Sequence, residues 1–413
     1  MFKKLAILYY YLRAKRLMRF GRKALQKWQN KHKAIITDFA RRHSPFYQQH
    51  LGEIISKKIM MNHFSTFNTK QIDKEKAFQV ALSSEQSRDF NTLLNGVTVG
   101  LSSGTSGSRG LFLVSDAERL AWCGNMLAKI LPKAPWRRQR VALFLRANSP
   151  LYETVNSKTL TFAYFDLLED PATLKQKLEA FAPDVLAAPP SMLLMLTGCC
   201  KPKRVISIAE VLSSADEKRL EAAFGQKIFQ IYQCTEGFLG FTCSHGTLHL
   251  NEDLLIIEKE FIDERHFIPI ITDLFRKTQP IIRYRLDDVL VEKKTPCRCG
   301  CIFQALERIE GRCDDVLYVA LKEGGVKPLF PDFVSRRIVT ASENIADYEV
   351  TQTKLDRWEI YLKPEFRALV NKALDELFTR IDCVAPQIVF IEAPSPRLPG
   401  AKLRRIRRQC AAL

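Results

Sequence analysis

From Val141 to Tyr232, short β-branched runs alternate with amphipathic stretches of helical length, and few folds accommodate that alternation. Val141–Leu145, Val185–Ala188, Val205–Ile208 and Ile228–Tyr232 have strand character, with helices expected over Pro171–Phe181, Ser191–Thr197 and Ala215–Phe224. Such a pattern builds a parallel α/β sheet covered by helices. From Thr242 the chain turns β-rich, with strands expected at Leu248–Leu250, Leu254–Glu258, Ile268–Thr272, Ile281–Tyr284 and Val289–Val291. After Gly311 a fresh α+β unit begins, its strands at Val316–Val319, Tyr348–Gln352, Trp358–Leu362 and Ile388–Glu392 framing helices near Pro331–Val339 and Glu365–Arg380. The 413 residues exceed what one hydrophobic core usually serves. The expected organisation is therefore a basic N-terminal helical segment (1–43), a large α/β domain with a β-rich subdomain (44–312) and a small α+β domain (313–413).

The net charge of +18 calls for a polyanionic partner or location. Eleven cations from Lys3 to Lys33 precede the first acid, Asp38, and Arg397, Lys402, Arg404, Arg405, Arg407 and Arg408 crowd the C-terminal end. As a helix, the first segment sets Leu5, Ile7, Leu8, Leu12 and Leu17 against those cations. It either packs on the main domain or lies on an anionic membrane surface. The uncharged run Leu5–Leu12 is far shorter than the roughly 20 residues that span a bilayer, and no small-residue cleavage site follows it. The expected location is cytoplasmic, with peripheral contact at the inner membrane face as the alternative. No nucleic-acid-binding motif appears, and aromatics do not interleave with the basic clusters beyond the first helix.

Five stretches carry chemistry. Ser102-Ser103-Gly104-Thr105-Ser106-Gly107-Ser108-Arg109-Gly110 joins two apolar runs. Glycines let the backbone approach an anion, and hydroxyls with consecutive amides donate to it; alone, the stretch also reads as a flexible turn. Tyr232-Gln233-Cys234-Thr235-Glu236-Gly237 follows a strand at the carboxyl end of the sheet, where open α/β sheets bind ligands. There an aromatic stacks on a purine, a threonine bonds phosphate and a carboxylate holds magnesium. Asp288 suits ribose hydroxyls, and Gly311-Arg312-Cys313-Asp314 lies at the domain boundary. Pro399-Gly400-Ala401-Lys402 offers a cation close to the C-terminal end.

In order and spacing these pieces resemble the adenylate-forming superfamily of acyl-CoA synthetases, luciferases and peptide-synthetase adenylation domains. The chain is most similar to the phenylacetate–CoA ligase branch and its uncharacterised adenylate-forming relatives. The resemblance runs from Ser44 to Arg408. It implies ATP-dependent conversion of a carboxylic acid to an acyl-adenylate. The acyl group then passes to coenzyme A or to a carrier protein's phosphopantetheine; in a third variant a cofactor hydroxyl is adenylylated instead. It further implies that Ser102, Ser103, Gly104, Thr105, Ser106 and Gly107 wrap the β- and γ-phosphates and that Tyr232 lies against adenine. Thr235 would touch the α-phosphate, Glu236 would hold magnesium, and Asp288 would hold the ribose with Arg312 beside it. Asp314 would be the hinge of a mobile small domain that carries Lys402 into the cleft. Two positions depart from the pattern. Arg109 stands where a lysine is usual, and Leu286-Asp287-Asp288 replaces Thr-Gly-Asp, which adds a carboxylate.

Of the eleven cysteines, Cys297, Cys299 and Cys301 form a knuckle-like run, and Cys243 with His245 and His249 lies upstream. Zinc favours four tetrahedral N/S ligands. By the same resemblance, Cys243, His249, Cys297 and Cys299 are the expected structural zinc ligands, with His245 or Cys301 as substitutes. The acid itself is not specified. Gly237–Phe241 and Phe162-Ala163-Tyr164-Phe165 are expected to border its pocket, and their bulk favours an aromatic or unsaturated acid.

Overall fold

The computed structural model describes residues 2–102, 110–145, 156–167, 169–312, 315–342, 344–345, 347–394 and 404–410. Its centre is a 12-stranded mixed sheet. One half is parallel, in the order Leu160–Asp166, Gln139–Leu145, Val185–Ala188, Arg204–Ser207, Ile228–Cys234. The other half is antiparallel and continues through Gly237–Thr242, Leu248–Leu250, Ala305–Arg312, Asp288–Glu292, His266–Asp273 and Leu255–Phe261. The change of direction falls at Thr235-Glu236, where the last parallel strand turns back on itself. Central strands of the parallel half are buried on both faces, Val185–Ala188 along its whole length, which is why they read as continuous apolar runs.

Two strand expectations are corrected. Ile281–Tyr284 is not a strand: pairing is confined to Tyr284–Arg285, because Arg283 takes φ +47°. That left-handed backbone is held in place by the Arg283 guanidinium, which donates to Glu258 at 2.9–3.2 Å. Conversely, Leu160–Asp166 is a seven-residue parallel edge strand containing the aromatic run expected only as pocket wall. Phe165 points away from the cavity and stacks on Phe144, centroids 4.6 Å apart at 11°. Tyr164 accepts from Arg88 at 2.9 Å.

The strands Val97–Leu101 and Leu111–Ser115 pair antiparallel from Val97↔Ser115 to Leu101↔Leu111. Ser102 and Gly110 close the pairing, Ser102 N–H donating to the Gly110 carbonyl at 2.8 Å. The helices Phe2–Leu17 and Arg22–His43 add Ile7, Tyr11, Ala14 and Leu25 to the principal core cluster. Gly124 of the helix Asp116–Ile130 permits this: a Cβ there would lie 2.5 Å from the Ile7 carbonyl oxygen and from Tyr10 Cβ. The opposite face of the first helix leaves Phe2, Leu5, Tyr9 and Leu12 exposed. Among the described residues no helix is long and apolar enough to cross a membrane.

Beyond Arg312 a separate core forms around Trp358, Val350, Leu374 and Ile338. Its sheet runs Gln387–Ile391, Arg357–Tyr361, Glu349–Lys354, Ile406–Arg408. This unit meets the large domain where His266 stacks on Phe330, 3.8 Å between centroids, and where Arg405 pairs with Asp216 at 2.7 Å.

Candidate active site

A cavity of about 560 Å³ opens at the sheet's change of direction. Its polar end is walled by Ser102, Thr235, Glu236, Asp287, Asp288 and Arg312. Stretches as far apart in sequence as Ser102 and Arg312 thus converge where the topology predicts a ligand.

Each polar side chain there is held by a neighbour. Glu236 accepts from the Thr235 hydroxyl at 2.8 Å and from the Tyr284 hydroxyl at 3.0 Å. Arg276 donates to the Thr235 carbonyl at 2.6 Å, which fixes the turn. Asp288 accepts from the Tyr232 hydroxyl at 2.6 Å and lies 3.6 Å from Arg312 Nε. Burial, reinforced by the adjacent carboxylates, pushes both phenols well above their ordinary pKa, so each stays a neutral donor. Tyr232, expected against adenine, is itself buried and forms no part of the cavity wall; it reaches the site through its hydroxyl. Asp287, the additional carboxylate, does line the cavity.

Ser103, Gly104, Thr105, Ser106, Gly107, Arg109, Asp314 and Lys402 lie outside the described residues. The chain resumes at Arg404, whose Nε donates to Asp315 at 2.8 Å. Asp315 also accepts from the Arg312 backbone N–H at 2.9 Å, so the residues after Lys402 are tied directly to the cavity's rim.

Lys57, in the helix Lys57–Asn62, was not legible from sequence. It lines the cavity, and a Cβ on Gly110 would lie 3.0 Å from its Cε. Its ammonium therefore stands at the base of the Ser102–Gly110 hairpin. Burial lowers its pKa, while Glu236 and Asp287 oppose that shift. A cation thus reaches the polar end of the cavity from outside the loop in which Arg109 stands. No local motif announces it; the only signal was a helix-borne lysine after the Ser56 cap.

Beyond the polar end the wall becomes apolar, with Trp122, Met126, Leu143, Ile208 and Phe238 among its residues. Of the aromatic run Phe162–Phe165, Phe162 contributes to it, and of Gly237–Phe241, Gly237 and Phe238 do.

About the cysteine run, Cys243, His249, Cys297 and Cys299 bring one ligand atom each within 4.8 Å of one another. Cys243 and Cys297 sulfurs are 3.7 Å apart; two thiolates 2.3 Å from a tetrahedral zinc would stand about 3.8 Å apart. Cys299 Sγ lies 3.4 Å from His249 Nε2. His249 Nδ1 is 2.9 Å from the Phe303 carbonyl, a partner that reserves Nε2 for metal. The donor set and spacing fit zinc. His245 stays exposed, and Cys301 packs instead beside the buried Lys129–Asp253 pair.

The sequence matches no family model and no curated protein. Among solved structures, a 2-hydroxyisobutyryl-CoA ligase in its postadenylation state superposes with a TM-score of 0.64 at 14% identity, over 93% of this chain and 89% of that one. The anthranilate CoA ligase AuaEII in complex with anthranoyl-AMP gives 0.51 at 14% identity, over 74% and 66%. Fatty acyl-adenylate ligases from E. coli and L. pneumophila give 0.53 at 11%, over 74% and 68%. With the two-part architecture and the cavity at the sheet's turning point, these similarities establish the fold of this chain as that of the adenylate-forming acyl-CoA ligases.

Proposed function

We propose that this chain is an AMP-forming acid–thiol ligase. A carboxylate oxygen attacks the α-phosphorus of ATP, forming the acyl–phosphate bond of an acyl-adenylate and expelling pyrophosphate. A thiolate then attacks the acyl carbon and AMP leaves. The observation that carries this reading is a single cavity with a polar end of hydroxyls, carboxylates and cations and an apolar remainder.

Two anions must meet, so the protein's task is positioning and charge neutralisation. Ser102 and Lys57 suit the outer phosphates, joined by Ser103, Gly104, Thr105, Ser106, Gly107 and Arg109. Thr235 faces the α-phosphate. Asp288, oriented by Tyr232 and flanked by Arg312, accepts from ribose hydroxyls. Glu236, held by Thr235 and Tyr284, would bind magnesium, an ion that prefers carboxylate and phosphate oxygens and supplies charge neutralisation here. Lys402 would complete the cage when the small domain rotates about Asp314; its neighbour Arg404, bonded to Asp315 at the rim, supports that placement. Zinc on Cys243, His249, Cys297 and Cys299 would be structural, because all four tetrahedral positions come from protein.

Coenzyme A is the favoured acceptor, and the +18 charge suits its phosphates. Carrier-protein phosphopantetheine is the alternative, and adenylylation of a cofactor hydroxyl a third. Pyrophosphate release is to be measured across aryl and aliphatic acids, with and without coenzyme A. Acid-dependent release followed by thioester formation is expected. ATP consumption that is independent of any carboxylic acid would refute the reading.

A further inference from the structure

The cavity holds a cation that the adenylation chemistry does not use. Arg13, on the first helix, is one of its wall residues. The guanidinium packs among aromatic rings, 4.4 Å from the centroid of Phe275, 4.8 Å from Tyr10 and 5.8 Å from Trp28. Its Nε and Nη2 are buried and have no hydrogen-bond partner. Donors left this way carry a substantial desolvation penalty.

The nearby charges do not balance. The carboxylate that acts on Arg13 is Asp253. Both its oxygens already accept from Lys129 Nζ, at 2.7 and 3.0 Å, and neither side chain of that pair is exposed. Two cations therefore share one carboxylate in a corner walled by aromatic rings. Of the other titratable groups near Arg13, Tyr10 and Tyr9 offer phenols and no carboxylate, and His32 and Lys129 are disfavoured as cations by burial first and by Arg13 in addition. Stacking on aromatic faces offsets part of the desolvation but provides no acceptor for the two N–H groups. What the corner lacks is an anion, and Arg13 is among the residues that line the cavity.

We propose that the acid taken by this cavity carries a second carboxylate and that Arg13 receives it, so that the substrate class is an apolar-bodied dicarboxylic acid. One end lies at Thr235–Glu236 and reacts; the other stays ionised on Arg13. Trp122, Phe238 and Phe275, which line the same cavity, would cover the body between them. Guanidinium is the cation suited to this, since its planar fork matches a carboxylate. The identity of the reacting end rests on the adenylation reading above; capture of the second anion does not.

The test uses the full-length protein and acids of matched length: suberate against octanoate, terephthalate against benzoate, and suberic acid monoamide to keep an acceptor without its charge. Binding is read by calorimetry in the absence of ATP, and pyrophosphate release is measured separately. The wild type is expected to bind each diacid about 10- to 100-fold more tightly than its monoacid or monoamide. Arg13→Leu, which retains apolar contact with Phe275, and Arg13→Gln should both abolish that preference, with near-ultraviolet circular dichroism confirming their fold. Equal binding of monoacids, no detectable diacid binding, or a preference that survives in a folded Arg13 variant overturns the proposal. Arg13-dependent diacid binding without any pyrophosphate release would sustain it and refute the adenylation reading instead.

Discussion

Asp273 ends the strand His266–Asp273 on the cavity wall, and its burial makes a quantitative prediction. Its Oδ1 accepts from the backbone N–H groups of Phe275 and Arg276 at 2.8 and 3.0 Å. Those bonds and the Arg276 charge favour the carboxylate, yet burial outweighs them and raises its pKa from 3.8 to about 6. A folded-state value above the unfolded one means that the folded chain holds the proton more tightly. The associated stability is fully present below pH 3.8 and is lost as pH rises through about 6. The shift of about 2 units corresponds to ~3 kcal/mol between the two ends of that window. Asp273→Asn keeps the acceptor for Phe275 and Arg276 and removes the titration. In urea, the large domain's unfolding should be followed from Trp28, Trp122 and Trp136 at intervals from pH 4 to pH 8. The variant should gain on the wild type by ~2–3 kcal/mol across that range, most of it below about pH 6. Parallel stability curves for the two proteins would show that Asp273 titrates as a solvent-exposed carboxylate does, and the burial argument would fail. If the variant is more stable at neutral pH yet slower in pyrophosphate release, the ionised form is retained for the reaction at the expense of stability.

The remaining predictions concern the metal, the cations and the first helix. Protein purified without chelator should contain one zinc per chain, and Cys297→Ser should lose it and unfold at lower temperature; zinc-free wild type refutes the assignment. Lys57→Met should lower acid-dependent pyrophosphate release about a hundredfold, as loss of one charge contact at a transferring phosphate does, with acid binding unchanged; an undiminished rate removes Lys57 from the site. Lys402→Ala should lose pyrophosphate exchange far more than thioester formation from supplied acyl-adenylate, and equal losses contradict its role. Phe2, Leu5, Tyr9 and Leu12 are 83%, 54%, 61% and 51% exposed on one face of the first helix, with Lys15, Arg16, Arg19 and Trp136 gathered around a groove at its end. That combination suits an anionic membrane surface. The protein should sediment with phosphatidylglycerol-rich vesicles at low salt and be released by serine at the four apolar positions; absence of sedimentation refutes it.

The parts of the site that were legible in the sequence are those a single local rule describes. Thr235-Glu236 sits at the end of an unmistakable strand, and open α/β sheets bind ligands at such carboxyl ends. The Cys/His quartet was readable because Cys297 and Cys299 fall in one tight turn and the paired strands bring Cys243 and His249 to it. Leu160–Asp166 was obscured because three aromatic residues within four positions suit a pocket wall as well as an edge strand; period-2 alternation sends Phe162 to the cavity and Phe165 to the core behind it. Ile281–Tyr284 failed as a strand through one backbone angle, at Arg283, that depends on Glu258 twenty-five residues away.

Lys57 and Arg13 were illegible for a different reason. Each lies on a helix remote from every loop that carries chemistry, amid enough lysines and arginines that no one of them stands apart. What distinguishes the two is three-dimensional: a cation brought into a low-dielectric wall exerts far more influence there than the same cation in solvent. The N-terminal helix illustrates the consequence. Its sequence presents a cationic segment with an apolar face, suited either to packing on the main domain or to a membrane surface. Packing against Gly124 buries one face in the core and carries Arg13 to the cavity, while the other face keeps its four apolar residues exposed. One short helix thereby contributes both a wall residue of the cavity and four exposed apolar side chains. Any partner that engages the outer face must act on a helix whose inner face holds Arg13.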